Sequence, residues 1–351
     1  MSPDTSPDAI PGAIPETARR PALFIGIAGL VAAVILVWVG TAGLSGSDAY
    51  LRAVLVLGGL GVGYLALDRL LWRLFGRKVQ TDLWLSVAWM SVVVAAAALA
   101  DLLPLEESRD ASASFGAPVT QRPDLFSAHP LGTDTFGLDL LGGVIYGARL
   151  SLQISFGAVA IGFVIGGLIG VLAGFLRGWF EAVVNVLTDS LLAFPPLILL
   201  IALMVAVNPT VVNLSLALAL LGIPTYIRLA RANTLVFAQR EFVTAARGMG
   251  ATRRRIIFRE LVPNVALPLL SYAFIIVAVL IVAEGSLSFL GLSIPRPEPT
   301  WGNMISAGAN DLRRIPHLVF VPATVMFLTV FALNRIGDRA RQIWDPRESK
   351  V

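Results

Sequence analysis

Residues 241–290 read EFVTAARGMGATRRRIIFRELVPNVALPLLSYAFIIVAVLIVAEGSLSFL. An arginine-rich half runs straight into an apolar half, and that junction decides the fold. The stretch from about 264 to 290 carries one charge, Glu284, and is long enough to cross a bilayer, which takes about 20 helical residues. The arginines ahead of it mark which side of the membrane the junction faces, because short cytoplasmic loops collect Lys and Arg.

The rest of the chain repeats this pattern. It is 56% hydrophobic, 14% charged and has a mean hydropathy of +0.78, too apolar for polar surface to cover as a soluble protein. Eight spans are predicted at about 22–43, 51–72, 82–103, 149–176, 180–206, 210–230, 264–290 and 318–336. Threaded alternately, they put five basic groups on one side: Arg19 and Arg20; Arg73, Arg77 and Lys78; Arg177; the arginines of 228–259; and Arg339, Arg341, Arg347 and Lys350. That side is cytoplasmic, with both termini inside. The opposite side carries the longer loops 104–148 and 291–317, neither large enough for a soluble domain with its own core. The first 21 residues are rich in Pro, Ser, Asp and Ala and read as disordered. The run Pro21–Leu44 is longer than a signal-peptide core and reads as an uncleaved helix.

Composition also excludes chemistries. With no cysteine there is no disulfide framework, thiol nucleophile or thiolate metal site. His129 and His317 are too far apart in sequence to offer metal-ligand spacing. Ser, His and Asp show no nucleophile-elbow pattern, and the two lysines, Lys78 and Lys350, lack the glycine context of a phosphate loop.

The basic junction is itself patterned. Glu241 to Gly250 reads as a short helix with Phe242, Ala245, Ala246 and Met249 on one apolar face. Gly250 can adopt the left-handed conformation that ends a helix. Thr252 then caps a second short helix, expected to end near Pro263. Arg253, Arg254 and Arg255 fall in its first turn, where the helix dipole disfavours cations; anionic headgroups or an acidic partner would each give them a reason to be there. An interfacial helix pair and a docking surface use the same ingredients, and the physics leaves both open.

The spelling EFVTAARGMGATRRRIIFRELVPN at 241–264 resembles the EAA loop of permease subunits in binding-protein-dependent ABC importers. Ala245, Ala246 and Gly250 match its most characteristic positions and Pro263 its closing proline, while Thr244, Glu260 and Val262 depart from the usual Glu, His and Leu. Other segments are similar to the dipeptide/oligopeptide/nickel group, "C" subunit type. These are His129-Pro-Leu-Gly132-Thr133-Asp134, then Glu284 with Leu287–Leu292 and Thr300-Trp-Gly302, and finally Leu333-Asn334, Gly337-Asp338 and Asp345-Pro346-Arg347. Leu138, Gly142 and Gly143 depart from the pattern, whereas Gly147, Arg149, Ser151 and Leu152 fit it.

The resemblance covers about 82–348 and implies an all-α polytopic membrane protein, a six-helix importer permease core with two extra N-terminal helices. Its organisation would be a disordered N-terminus (1–21), the extra helices (22–81), the core (82–336) with outer loop 104–148 and coupling loop 231–263, and a cytoplasmic tail (337–351). The family implies a second homologous permease, two ATP-binding cassette subunits and an extracytoplasmic solute-binding protein as partners in a bacterial or archaeal plasma membrane. It implies no nucleic acid, no catalysis by this chain, and no bound cofactor or metal; ATP and Mg would be used by the partner. Glu241, Phe242, Ala245, Ala246, Arg247, Met249, Gly250 and Pro263 are the expected coupling residues, and peptide the expected substrate class.

Within the spans, Glu181, Asn185 and Asp189 repeat every four residues and read either as a pathway lining or as an interhelical network. Pro195 and Pro196 are expected to kink their helix. Asp189, Pro195 and Glu284 are therefore candidates for the pathway or a gate, and His129, Gly132, Thr133 and Asp134 for an outer vestibule or receptor surface. An ion-coupled carrier or channel without an ATPase is the alternative function, and a lipid-binding scaffold a third.

Overall fold

The computed structural model describes residues 80–344 except 106, 111, 113, 115 and 125, together with short pieces between 28 and 70. The N-terminal segment 1–21, most of the first two expected spans and Asp345-Pro346-Arg347 lie outside the described residues. The chain divides into two units, Met1–Trp84 and Leu85–Val351. In the first, the described helical pieces meet through small residues. A Cβ placed on Gly29 would lie 2.8 Å from that of Ala66, and one on Gly63 3.2 Å from that of Ala33.

The second unit is helical throughout its regular structure. Its elements begin with α1 (Thr81–Ala98), which crosses the boundary between the units, and α2 (Leu140–Leu176). Then come α3 (Gly178–Ala193), α4 (Pro196–Val205) and α5 (Val211–Phe237). They are followed by α6 (Glu241–Gly248), α7 (Arg253–Phe289), α8 (Trp301–Gly308) and α9 (His317–Trp344). Five described helices are long and apolar enough to cross a membrane, or six if the bent pair α3–α4 is one span.

Close packing of α2 on α5 forms the centre. Gly162, Gly166, Gly170 and Gly174 recur every four residues along one face of α2. A Cβ on Gly166 would come within 2.6 Å of the Ile223 carbonyl, and one on Gly170 within 2.5 Å of the Ile227 carbonyl. Hydrogen at these positions is what lets the two backbones touch, the usual source of helix association in lipid, where burial alone drives little. Tyr226, Ala230 and Thr234 of α5 fill the seam and are fully buried. Trp89 of α1 donates to Thr329 of α9 at 3.1 Å, bringing that helix onto the same core.

Two local expectations change. The predicted span 180–206 is broken at Phe194-Pro195, with α3 and α4 meeting at 88°. Phe194 precedes a proline and takes extended backbone (ψ 134°), as does Pro195 (ψ 125°), so the helix stops and Pro196 restarts it at N1. Conversely, the short helix expected to end near Pro263 runs on into the membrane as the first turns of α7. Ile256–Leu261 are π-helical, and Asn264 Nδ2 donates to the Glu260 carbonyl at 2.6 Å. The wider π turn carries the helix past Pro263, which has no N–H to donate, without ending it.

Candidate functional site

At the end of the bundle that carries the arginines, α6 lies between α5 and α7. Val243 is fully buried and Ala246 nearly so, both in the core cluster that also contains Ile256, Ile257 and Leu261. Phe242, Ala245 and Met249 are exposed, Met249 at 82%. The apolar face expected from the spacing is thus split. Ala246 anchors the helix to its own chain, and Phe242, Ala245 and Met249 form the outward surface.

Gly250 has φ +78°, and the Gly250 and Ala251 N–H groups bond back to Arg247 and Ala246 at 3.0 Å, closing the helix in a Schellman turn. Thr252 caps the start of α7, accepting from the Arg255 N–H at 3.4 Å. The Arg247 guanidinium sits 5.6 Å over the ring of Phe175 at the end of α2. That contact joins α6 to the end of the central helix α2. Glu241 is exposed in the first turn, and Pro263 sits inside α7, away from the outward face of α6.

Two arginines expected in this loop belong to α5 and are paired with α3. Arg231 Nε donates to Glu181 at 2.7 Å, and Arg228 donates to Asp189 at 2.7 Å. Asp189 is a surface ion-pair partner, and Glu181 and Asp189 tie the bent segment to α5. Pro195 stands at the right-angled break itself.

The other end is organised by the His129–Asp134 segment. Asp139 caps α2 by accepting from the Gly142 N–H at 2.7 Å, and His129 Nδ1 lies 3.1 Å from the same carboxylate. Gly132 has φ +87°, and a Cβ there would strike the Gln121 carbonyl at 2.3 Å. Thr133, fully buried, donates to the Pro118 carbonyl at 2.6 Å and accepts from the Gln121 N–H at 2.9 Å. Asp134 accepts from the Phe136 and Leu138 N–H groups and pairs with Arg296 at 3.2 Å, joining the two outer loops. Within this segment Thr133 and Asp134 spend their side-chain oxygens on the chain itself. Glu107 works similarly. Its carboxyl accepts from the backbone N–H groups of Arg109, Asp110 and Ser108 at 2.7, 2.8 and 2.9 Å. Those donors hold its pKa below the ordinary glutamate value.

Glu284, expected to be a pathway or gate residue, is 1% exposed and enclosed. Ser293 donates to it at 2.7 Å, Ser288 at 2.8 Å and Ser151 at 3.4 Å. Ser151 in turn accepts from the Trp301 N–H at 3.2 Å, and Trp301 Nε1 donates to the Val144 carbonyl at 3.1 Å. Thr300 and Asn303 form a capping box on α8. The carboxylate thus fastens α2, α7 and the short outer helix α8 together, and carboxylate oxygens that accept this many hydroxyls leave little for a passing solute. Sequence reading missed Ser151, Ser288 and Ser293 as partners of Glu284, and Trp301 as the partner of Ser151.

Residues 166–350 match the family model described as the binding-protein-dependent transport system inner membrane component. The chain belongs to that family. It is a multi-pass membrane permease subunit of a binding-protein-dependent ABC importer, and nothing supports the ion-coupled alternative. Among curated relatives of this permease, the glutathione transport system permease protein GsiD of Pectobacterium atrosepticum is 36% identical over 221 residues, 63% of this chain and 73% of that one. The protein of the same name from Escherichia coli is 38% identical over 219 residues, 62% and 72% of the two chains. A solved structure titled as inward-facing conformations of the MetNI methionine ABC transporter is 20% identical, covering 58% of this permease and 97% of that chain with a TM-score of 0.49.

Proposed function

We propose that this permease couples ATP hydrolysis by separate subunits to passage of di- or oligopeptides, or related solutes, and that α6 is the element through which the coupling runs. The observation that carries the proposal is the split of α6: two side chains locked into the chain's own core, and Phe242, Ala245 and Met249 left facing out. A helix anchored in this way can be pushed by a partner and pass the movement to α2 through Arg247 and Phe175. To bias the spans, the partner must bind their two arrangements unequally.

The working assembly has a second homologous permease, two ATP-hydrolysing subunits that use ATP and Mg, and an extracytoplasmic solute-binding protein. The present chain is the non-catalytic pathway subunit. Both termini and α6 face the cytoplasm, and the loop around 104–148 faces outward. Residues 82–336 form the core, and 231–263 carry the coupling segment. The peptide class rests on the relatives named for glutathione transport.

Ala245→Trp is the discriminating variant, because Ala245 is exposed whereas Ala246 is buried and would report on folding. The expected result is an assembled permease whose ATPase partner is lost on purification or no longer stimulated by loaded binding protein. Full stimulation with Ala245→Trp, Met249→Trp and Phe242→Ala alike would exclude α6 as the coupling contact. Uptake of radiolabelled di- and oligopeptides in competition with glutathione tests the substrate class.

A further inference from the structure

The arginines at the start of α7 differ from those of α5. Arg228 and Arg231 are paired with carboxylates, whereas none of Arg253, Arg254, Arg255 and Arg259 forms an ion pair among the described residues. Across 240–263 six arginines face two acidic residues, Glu241 and Glu260. Arg254, Arg255 and Arg259 line an open cavity of about 470 Å³ together with Thr252 and Phe258. Three cations in the first turns of a helix repel its dipole as well as one another, and an anion seated among them would relieve both repulsions.

Position along the helix narrows the choice of anion. The apolar stretch of α7 starts at Leu261, which places Arg254, Arg255 and Arg259 about 3–11 Å beyond it at about 1.5 Å per residue. A headgroup layer is roughly 5–8 Å thick on each side; Arg259 falls within it, and Arg254 and Arg255, at about 9–11 Å, stand at its outer edge with side chains long enough to reach back to it. Phe258, half exposed, stands between them. One helical turn further into the membrane, Val262 begins a second cavity of about 210 Å³, an apolar groove between α7 and α2. Val262, Ala266 and Leu269 form one wall and Phe163, Gly167 and Val171 the other. Phe258 and Val262 lie four residues apart on one helix face, so basic shelf and groove adjoin along the same side of α7.

We propose that this shelf and groove bind an anionic phospholipid. The phosphate rests on Arg254, Arg255 and Arg259, and an acyl chain lies along the groove between α2 and α7. The charge at the mouth and the wholly apolar lining behind it select this occupant: a soluble anion would leave the groove empty, and a neutral lipid would leave the arginines unpaired. Bound there, the lipid braces the start of α7 next to the outward face of α6.

The test uses the full chain in its transport complex, in nanodiscs of phosphatidylcholine with increasing phosphatidylglycerol, read by native mass spectrometry of retained lipid and by exchange of a fluorescent phosphatidylglycerol. One phosphatidylglycerol per permease should be retained through delipidation. Arg254→Gln/Arg255→Gln/Arg259→Gln should weaken retention about a hundredfold, the order expected from losing three arginine–headgroup attractions. Ala266→Phe, which fills the groove while keeping the charges, should weaken it too. Unchanged retention in both variants would overturn the proposal. So would complete displacement by millimolar inorganic phosphate, which would make the shelf a plain anion site. The chain has no cysteine, so Ala266→Cys gives a single reporter. Labelling from the lipid phase is expected, and crosslinking to the second permease in high yield would assign the groove to a subunit interface instead.

Discussion

Replacing Glu284 separates a structural carboxylate from one that handles solute. In Glu284→Ala the hydroxyls of Ser293, Ser288 and Ser151 lose their acceptor. Ser288 and Ser151 lie on helices and can turn to carbonyls one turn back, but Ser293 lies in a turn without that option. One orphaned buried hydroxyl costs about 1–3 kcal/mol, and the emptied space adds about 1–2 kcal/mol in a core that relaxes only partly. The sum is about 3 kcal/mol. Glu284→Gln keeps one oxygen for Ser288 and Ser293 and disturbs only the 3.4 Å contact to Ser151, a loss of about 1 kcal/mol or less. At about 2–4 °C per kcal/mol, thermal unfolding in nanodiscs should fall by about 6–12 °C for the alanine variant. For the glutamine variant it should fall by about 4 °C at most. Trp301, fully buried and hydrogen-bonded to Ser151, should red-shift in fluorescence only in the alanine variant. The reasoning fails if Glu284→Gln abolishes uptake at unchanged stability, since the negative charge would then be used on the pathway. An alanine variant as stable as wild type would refute the network itself.

At the α2–α5 seam, Gly170→Ala puts a methyl group 2.5 Å from the Ile227 carbonyl. A cost of about 1–3 kcal/mol is expected, visible as a lower unfolding temperature, whereas Gly222→Ala, with open space at its Cβ, should stay near wild type. For the partly buried pair Glu181–Arg231, a double-mutant cycle with Gln at each site should give a coupling of about 1 kcal/mol, and the exposed Asp189–Arg228 pair less than half of that; equal couplings would contradict the burial difference. Acidification should open the turn at Glu107. Its carboxyl pKa is lowered by backbone donors, so the stabilisation is fully present above the ordinary glutamate value and is lost as pH falls below it. Hydrogen exchange at residues 108–110, corrected for intrinsic rates, should rise below about pH 4 in wild type and show no such pH step in Glu107→Gln. Asp134→Asn should loosen the outer loops, detected as faster proteolysis near Arg296, while ATPase association through α6 is kept.

Hydropathy and the placement of arginine were sufficient for the membrane class, since a run of apolar residues has few other solutions. Local rules likewise placed the stop at Gly250 and the cap at Thr252, because both depend on hydrogen bonds within a few residues. The four-residue glycine spacing from Gly162 to Gly174 went unread in the sequence, and only the structure shows α5 as its partner. What a side chain meets across the bundle was not readable. Ser151 and Glu284 are 133 residues apart, and neither neighbourhood announces the other, so the sequence left a structural and a path-lining role for this carboxyl equally open. The same holds for Ala245 and Ala246. A helical period puts both on an apolar face, but only the packing of Val243 and Ala246 against α7 decides which alanine is anchor and which is surface. Sequence alone determined that this chain spans a membrane and where its basic junction lies. Tertiary structure decided which residues of that junction are free to meet something else, because exposure depends on every helix packed nearby and no local pattern encodes it.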